Sequence, residues 1–503
     1  ISWFDTIILK GVRVKDEAGH VMIYVNDLKL DFELTSFIDS NTINIDAITL
    51  KKANVWLVRY APDGALNMTD FIQALRNLSK KDNKQKTKFT VDKIMVKNSH
   101  FSFSDQRKDT ITDGFDYFHF TFDSTYATLS AFKLIADTIQ FKISDLKARE
   151  FVMDGHARPL QINQINSIFL LTSKSIEFND LSAYTGESYI SNLVKFQFDT
   201  IDDMSDFVNK VDIIAQFDST VIHSKDLALF APALKHLDES WQISGGLVGK
   251  VKRFNVKNVD LYFGKNSHLR GFISFDGLPD FQETFIDLNL KNSIIEGSDL
   301  KNYINSDSSG FKKVEKFGKI QLEGQFIGFP NDFVAYGFFN TTIGKFVSDI
   351  NLKIPSHPFS DPSGQDEQPY YKGHLETYNF QLGELIGYPK TVQMIDMNGS
   401  IEGTGFSVEE AFFTLDADIH RLGIKNYDYK DITIDAGLSK ELFVGILEIK
   451  DPNLRLKTTG KIDLRYNRNL FDINAKLVHA NLKPLNFSKQ QTFLSTELHL
   501  DFK

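Results

Sequence analysis

Leu28-Lys29-Leu30-Asp31-Phe32-Glu33-Leu34 places an apolar side chain at every even position and a charged one at every odd position. Successive side chains of a β-strand point to opposite faces, so as a strand this stretch has one apolar face and one ionised face. Wound as a helix it would scatter both sets around the cylinder and leave no stripe to bury. The same two-faced pattern returns in Phe101-Ser102-Phe103, Phe118-His119-Phe120-Thr121-Phe122, Phe141-Lys142-Ile143, Ile286-Asp287-Leu288-Asn289-Leu290, Ile350-Asn351-Leu352-Lys353-Ile354, Leu454-Arg455-Leu456 and Ile462-Asp463-Leu464. One structural idea is repeated along the chain, and the expected fold is dominated by β-strands.

Composition narrows the function classes. The 503 residues are 42% hydrophobic and 24% charged, the balance of a folded protein long enough for two to four domains. The aromatic weight is 45 Phe against 16 Tyr and 3 Trp. Rings without a polar handle want apolar neighbours, either a core or acyl chains. A net charge of −9 with both signs interspersed argues against a nucleic-acid partner, which needs a clustered basic face. The absence of cysteine excludes disulfides, thiolate metal sites and cysteine nucleophiles. No run approaches the ~18–20 apolar residues that span a bilayer as a helix. The opening Ile1-Ser2-Trp3-Phe4 has no start methionine or signal peptide and enters directly into a patterned segment, so the chain reads as an excised fragment.

Sliding the chain by 46 residues lays Ile48, Leu50, Val55 and Leu57 over Ile94, Val96, Phe101 and Phe103. Phe254 to Leu261 gives a third echo, and the degenerate repeat reads as a recurring hairpin. Between the first two copies Asn67 is the expected N-cap of a helix near 67–79, with Met68, Phe71, Ile72, Leu75 and Leu78 on one stripe. The basic run Lys80, Lys81, Lys84, Lys86 and Lys88 reads as a solvated linker, with an anionic membrane surface as the alternative. Short helices are expected near 225–239, broken at Pro232, and near 298–305 after Ser298-Asp299-Leu300. The segment Pro355 to Pro369, with four prolines, is the preferred boundary. The expected organisation is an N-terminal β segment over 1–90, a central segment over 91–354 and a continuing segment over 370–503.

Nothing in the sequence supports catalysis. Gly245-Gly246-Leu247-Val248-Gly249-Lys250 lacks both the first glycine of a phosphate loop, where Ser244 stands, and its Ser or Thr, where Val251 stands. Gly403-Thr404-Gly405 lacks the third glycine of a dinucleotide site. Asp416, Asp418 and His420 share a strand face but have no fourth metal ligand, and they read as the polar side of another two-faced strand. Glu409 and Glu410 are adjacent and would face opposite ways on a strand. No cofactor or metal is expected.

From Val221 to Asp280 the order of features resembles the AsmA-like superfamily, and within it the TamB-type translocation and assembly module of Gram-negative envelopes. The resemblance rests on Ser224-Lys225-Asp226-Leu227 with Phe230-Ala231-Pro232, Ile243 to Gly249, Leu269-Arg270-Gly271 and Gly277-Leu278-Pro279-Asp280. Asp63-Gly64 leading through Leu66-Asn67, Leu382 to Gly387, Gly399 to Gly405, Asn426 to Ile432 and Asp451-Pro452-Asn453-Leu454 continue it over most of the chain. It implies an elongated, curled β-sheet, a half-pipe or β-taco groove with an apolar inner face. It further implies a periplasmic protein anchored in the inner membrane by a missing N-terminal helix. An Omp85-type outer-membrane barrel protein would be its partner, through a C-terminal region absent here.

On that expectation the apolar face solvates acyl chains at about 0.8 kcal/mol per buried methylene while the phosphate head stays in water. The expected groove residues are Leu30, Phe32, Phe101, Phe103, Phe118, Phe120, Phe122, Phe141, Ile143, Leu288 and Leu352. The expected function is non-enzymatic transfer of phospholipid from inner to outer membrane. A scaffold or chaperone that pairs its sheet edge with nascent outer-membrane strands is the alternative. A glycan-binding adhesin ranks last, because it would need exposed Trp and Tyr platforms.

Overall fold

A strand whose alternate side chains are apolar stabilises itself only beside others of the same kind, and in the computed structural model the chain meets that demand almost entirely by pairing neighbours in sequence. The structure describes residues 6–32, 42–62, 66–69, 71, 88–135, 138–152, 158–303, 314–355, 368–406, 409–465 and 470–502. It is 69% strand and 8% helix, so the protein is all-β in class. Contacts divide the chain into two units, Ile1–Leu261 and Tyr262–Lys503.

The first unit carries β1 (Thr6–Lys15), β2 (Val21–Asp31), β3 (Thr42–Arg59), β4 (Lys88–Asp105), β5 (His119–Ile135), β6 (Thr138–Glu150), β7 (Gln161–Leu171), β8 (Ser175–Thr185), β9 (Ser188–Gln197), β10 (Asp212–His223) and β11 (Ser240–Lys250), and the division falls inside β12 (Arg253–Phe263). From β1 to β11 each strand is hydrogen-bonded to the next in sequence order. The second unit carries β13 (Ser267–Asp276), β14 (Phe285–Glu296), β15 (Lys319–Phe329), β16 (Asp332–Thr341), β17 (Gly344–Lys353), β18 (Tyr370–Phe380), β19 (Val392–Thr404), β20 (Phe412–Ile424), β21 (Tyr427–Ser439), β22 (Leu442–Asp451), β23 (Leu454–Asp463), β24 (Leu470–Asn481) and β25 (Phe493–Phe502). These form an antiparallel meander in sequence order. Among the described residues β1 does not pair with β11, nor β13 with β25, so in each unit the sheet is open and curled and not closed into a barrel. The proline-bearing segment after β17 joins two strands that pair from Lys345↔Tyr378 to Lys353↔Tyr370, and residues 356–367 lie outside the described residues.

The 46-residue repeat has a different meaning from the hairpin the sequence suggested. β3 and β4 run parallel, and Ile48↔Ile94, Leu50↔Val96, Val55↔Phe101 and Leu57↔Phe103 are direct partners. The offset that aligned the two copies is therefore the register of the one parallel ladder among the described pairings. A parallel pair cannot be joined by a tight turn; residues 60–87 make the crossover. Most of the expected helix near 67–79 and the lysines 80–86 fall outside the described residues. The side chain of Asn67 accepts from the Val58 N–H (3.1 Å) and donates to the Trp56 carbonyl (2.9 Å), tying the start of this connection to β3.

A row of β-bulges runs across the first unit and recurs in the second. Lys52, Asn98, Ser124, Asp145, Asp180, Ser219, Asn292 and Asn379 all have positive φ between 46° and 57°. The β-ladder slips beside most of them, as between Val96 and Ser99, Phe217 and Thr220, and Leu290 and Ser293. In the clearest cases two outward residues stand together and a small inward residue follows, as in Lys97-Asn98-Ser99 and Lys291-Asn292-Ser293. The inward hydroxyl then takes up a backbone N–H that the slipped ladder leaves over. Ser99 accepts from Ala53, Ser293 from Arg270, Thr220 from Ser191 and Thr377 from Met397. Each bulge bends its strand and raises the local twist, so a row of them curls the sheet along one line.

Short helices sit where the hairpins need closing. Ser224–Leu227 and a 3-10 turn over Pro232–His236 follow β10, and a 3-10 turn over Gly297–Asn302 follows β14, as expected. Their aspartates do the same work. Asp226 accepts from the Glu187 N–H and the Ser188 hydroxyl, both 2.7 Å, and Asp299 accepts from Asn266 N–H (3.0 Å) and Ser267 hydroxyl (2.8 Å). Helices at Ile201–Asp206, Phe207–Lys210 and Leu382–Ile386 were not expected. The last packs Leu382 and Leu385 against the core of the second unit, which gathers Ile395, Met397, Leu415, Ala417, Ile419 and Ile434.

Two predictions follow from the backbone. Lys52→Asn places at this left-handed position the residue that Asn98 already supplies one strand away, and is expected to raise stability by about 0.5–1 kcal/mol in chemical denaturation. Gly445 and Gly460 face each other across β22 and β23 at φ 153° and 136°, and a Cβ on Gly460 would collide with the Asp472 carbonyl oxygen. Gly460→Ala is expected to cost at least ~2 kcal/mol in the same assay.

Candidate functional site

The ladders connect apolar residues across strand after strand. In the second unit a single register line reads Ile273, Leu288, Phe326, Ala335, Ile350, Gly373, Ile401, Leu415, Ala436, Gly445, Gly460, Ile473 and Leu500, one residue from each of thirteen strands. It contains no polar side chain. The line one residue away, on the opposite face, passes through Asp287, Asn351, Lys372, Glu402, Thr414, Lys461, Asp472 and Asp501, with Ile327, Val334, Gly437 and Val444 among them. Lys372 and Glu402 form an ion pair there at 3.0 Å. At ~4.8 Å per strand, thirteen strands carry the apolar line over ~58 Å within this unit.

The first unit is built alike. Ile7, Leu30, Ile48, Ile94, Leu129 and Ile143 are successive partners over β1 to β6. Phe89, Leu134, Ile139, Leu171, Ile176, Phe196, Ile213 and Gly249 continue over β4 to β11. Rings reinforce this face. Phe89, Phe132, Phe141, Phe169 and Phe178, on five consecutive strands, form a ladder with centroid spacings of 6.2, 5.9, 4.7 and 5.3 Å. Beyond the bulge row, Phe120 lies 6.1 Å from Phe101, 5.6 Å from Phe103 and 5.6 Å from Phe122.

Of the residues expected to line a groove, Leu30, Phe101, Phe103, Phe120, Phe122, Phe141 and Ile143 share the apolar face of the first unit, and Leu288 and Leu352 share that of the second. The structure brings Phe101, Phe103, Phe120 and Phe122 into one cluster and puts Phe141 in the ring ladder. Phe118 lies apart, just before β5, with its ring against Tyr117 and 5.4 Å from the Lys108 ammonium. Phe32 follows the end of β2 and Glu33 and Leu34 lie outside the described residues. All but Ile143, which is 5% exposed, are half-buried. A closed core would bury them, and a flat surface would expose them. Half-burial is what a concave, open wall produces.

Phe132, Phe169, Phe178, Phe115 and Phe230 join these clusters without having been expected. Phe169 sits in Ile168-Phe169-Leu170-Leu171, apolar on both faces, where alternation carries no signal. Phe178 follows clean alternation in Ile176-Glu177-Phe178 and was open to detection. Asp416, Asp418 and His420 are exposed together on the polar face of β20, where Asp418 accepts from the Thr433 hydroxyl at 3.2 Å. Among the described residues no group of His, Asp and Glu is arranged to hold a metal ion. Gly245 to Lys250 is the second half of strand β11.

The end of the Phe101–Phe103 strand is fixed by buried charge. Asp105, 1% exposed, takes two bonds from Arg107, Nε to Oδ1 at 2.8 Å and Nη2 to Oδ2 at 2.7 Å. These bonds hold its carboxyl down to about 2 against the opposing effect of burial. Asp116, equally buried, accepts from the N–H groups of Phe118 (2.9 Å) and His119 (3.0 Å) where β5 begins. No protein-family model, curated protein or solved structure matches the chain.

Because the Asp105 carboxyl titrates below its ordinary 3.8, its ion pair stabilises the fold above pH ~4. That contribution is lost as pH falls toward 2. Arg107→Gln is expected to cost about 1–3 kcal/mol at neutral pH and to flatten the acid limb of the stability profile between pH 4 and 2, read by denaturant titration at each pH.

Proposed function

We propose that the protein is a lipid-transfer conduit of the TamB type, whose apolar sheet face carries the acyl chains of phospholipids. The observation that carries this reading is the unbroken apolar register line, thirteen strands long in the second unit, most of whose residues are half-buried while Ile273, Leu415 and Ala436 are buried. Such a wall offers no polar group to fix a headgroup, so a lipid can move along it while its phosphate remains in water. The polar face, with Lys372, Glu402, Asp472 and Asp501, suits an aqueous compartment, and the periplasm between the two membranes of a Gram-negative envelope is the proposed setting. Contact with an Omp85-type barrel and attachment to the inner membrane belong to the same proposal.

A second reading, a scaffold that receives nascent β-strands, is favoured by one observation. The backbone of each unit is an open sheet whose strands pair with their neighbours in sequence, the kind of surface to which a further strand adds by the same hydrogen bonds.

The test is mass spectrometry of lipid carried by the protein purified without detergent. Phospholipid is expected with the natural chain and is expected to fall by at least about tenfold in Phe101→Asp/Phe120→Asp, since burying one charge exceeds the 1.4 kcal/mol that a tenfold loss requires. Lys142→Asp, on the polar face of β6, is expected to retain it. Absence of lipid from all three proteins would sink the conduit and leave the scaffold.

A further inference from the structure

We infer that residues 106–118, the connection between β4 and β5, form a releasable strap over the apolar face of the first unit. The inference rests on the conduit reading and adds a point of entry to it. β5 and β10 are five steps apart in the sheet, ~24 Å if it were flat. Yet the strap joins them. The Phe115 N–H donates to the Leu229 carbonyl at 2.6 Å, and the Asp113 carboxylate meets the Lys235 ammonium. The Phe115 ring lies 5.4 Å from Phe120, on the apolar face, and 5.6 Å from Phe230, in the connection after β10.

The far end of the strap is held far more weakly than its root. At the root stands Asp105, buried and held by two bonds from Arg107. At the far end the ion pair is exposed, its side chains 52% and 64% accessible, and Phe230 is 57% exposed. An exposed ion pair contributes little and is screened by salt. One backbone bond and the contacts of the Phe115 ring with Phe230 and Phe120 remain, against ladders of eight or more paired residues that hold β3 to β5. The strap is thus the part of this face that opens at least cost, and its Phe115 ring lies against Phe120 of the Phe101, Phe103, Phe120 and Phe122 cluster. Its release admits an acyl chain sideways onto those rings.

The chain has no cysteine, so Asp113→Cys/Lys235→Cys can be bridged cleanly in the full chain by a short bis-maleimide with a cleavable disulfide. Uptake is followed as the fluorescence of an acyl-labelled phosphatidylcholine supplied in phosphatidylcholine vesicles. The bridged protein is expected to take up the probe at least about tenfold more slowly than after cleavage of the same sample, which removes folding as an explanation. Lys235→Glu, which repels Asp113, is expected to speed uptake several-fold, and Asp113→Lys/Lys235→Glu to return it toward the natural rate. Equal uptake before and after cleavage would overturn the strap and leave the conduit standing. No uptake by the natural chain would overturn the conduit, and the strap with it.

Discussion

Everything in this protein depends on what happens in mid-strand, where a ladder slips by one residue and a left-handed residue takes up the slack. A pleated sheet of this width would by itself twist like a propeller and present its apolar face to water. The slip at Asn98, Ser124, Asp145, Asp180 and Ser219 bends each strand at the same level, so the bends add instead of averaging out. The cost is an unpaired N–H at each slip, and the hydroxyls of Ser99 and Thr220 meet it from inside the curl. Ser293 and Thr377 repeat the device in the second unit. The hydroxyls of Ser99, Thr220, Ser293 and Thr377 are thus already used, and the wall beside them can be hydrocarbon.

The apolar line and the curl need each other. A flat sheet with this line would aggregate through its face, and a curl without it would close on polar side chains and gain nothing. Glycine completes the fit where two strands approach most closely, as at Gly445 and Gly460. The result is a surface that is sheltered but not filled. Where filling is required, the chain supplies it from outside the sheet, with the Leu382–Ile386 helix over the core of the second unit and the aspartate-bearing turns after β10 and β14.

The fold class was legible from Leu28 to Asp31 and its echoes, because period-two alternation has no other stable reading. The faces were legible too. The bulges were visible only as a change of parity: Ile48 and Leu50 are even and Val55 and Leu57 odd, and the same switch separates Ile94 and Val96 from Phe101 and Phe103. Taken as two short segments, these pairs hid a single long bent strand. The parallel pairing of β3 with β4 was written in the 46-residue offset, but a repeat in sequence does not by itself say whether its copies lie side by side or end to end. Phe115 and Phe230 were beyond reach, since they lie in irregular connections and meet only because the sheet between them curls.

The bulges also set which changes of length this chain can survive. Loss or gain of one residue in a hairpin turn leaves both flanking strands facing as before. The same change beside Asn98 or Asn292 would turn the remainder of that strand over, exchanging hydrocarbon for charge along half its length. Because almost every strand bonds only to its neighbours in sequence, a whole bulged hairpin can be inserted or removed with no other pairing rewired. Evolution can therefore lengthen or shorten such a wall two strands at a time, while single-residue drift is confined to its rims.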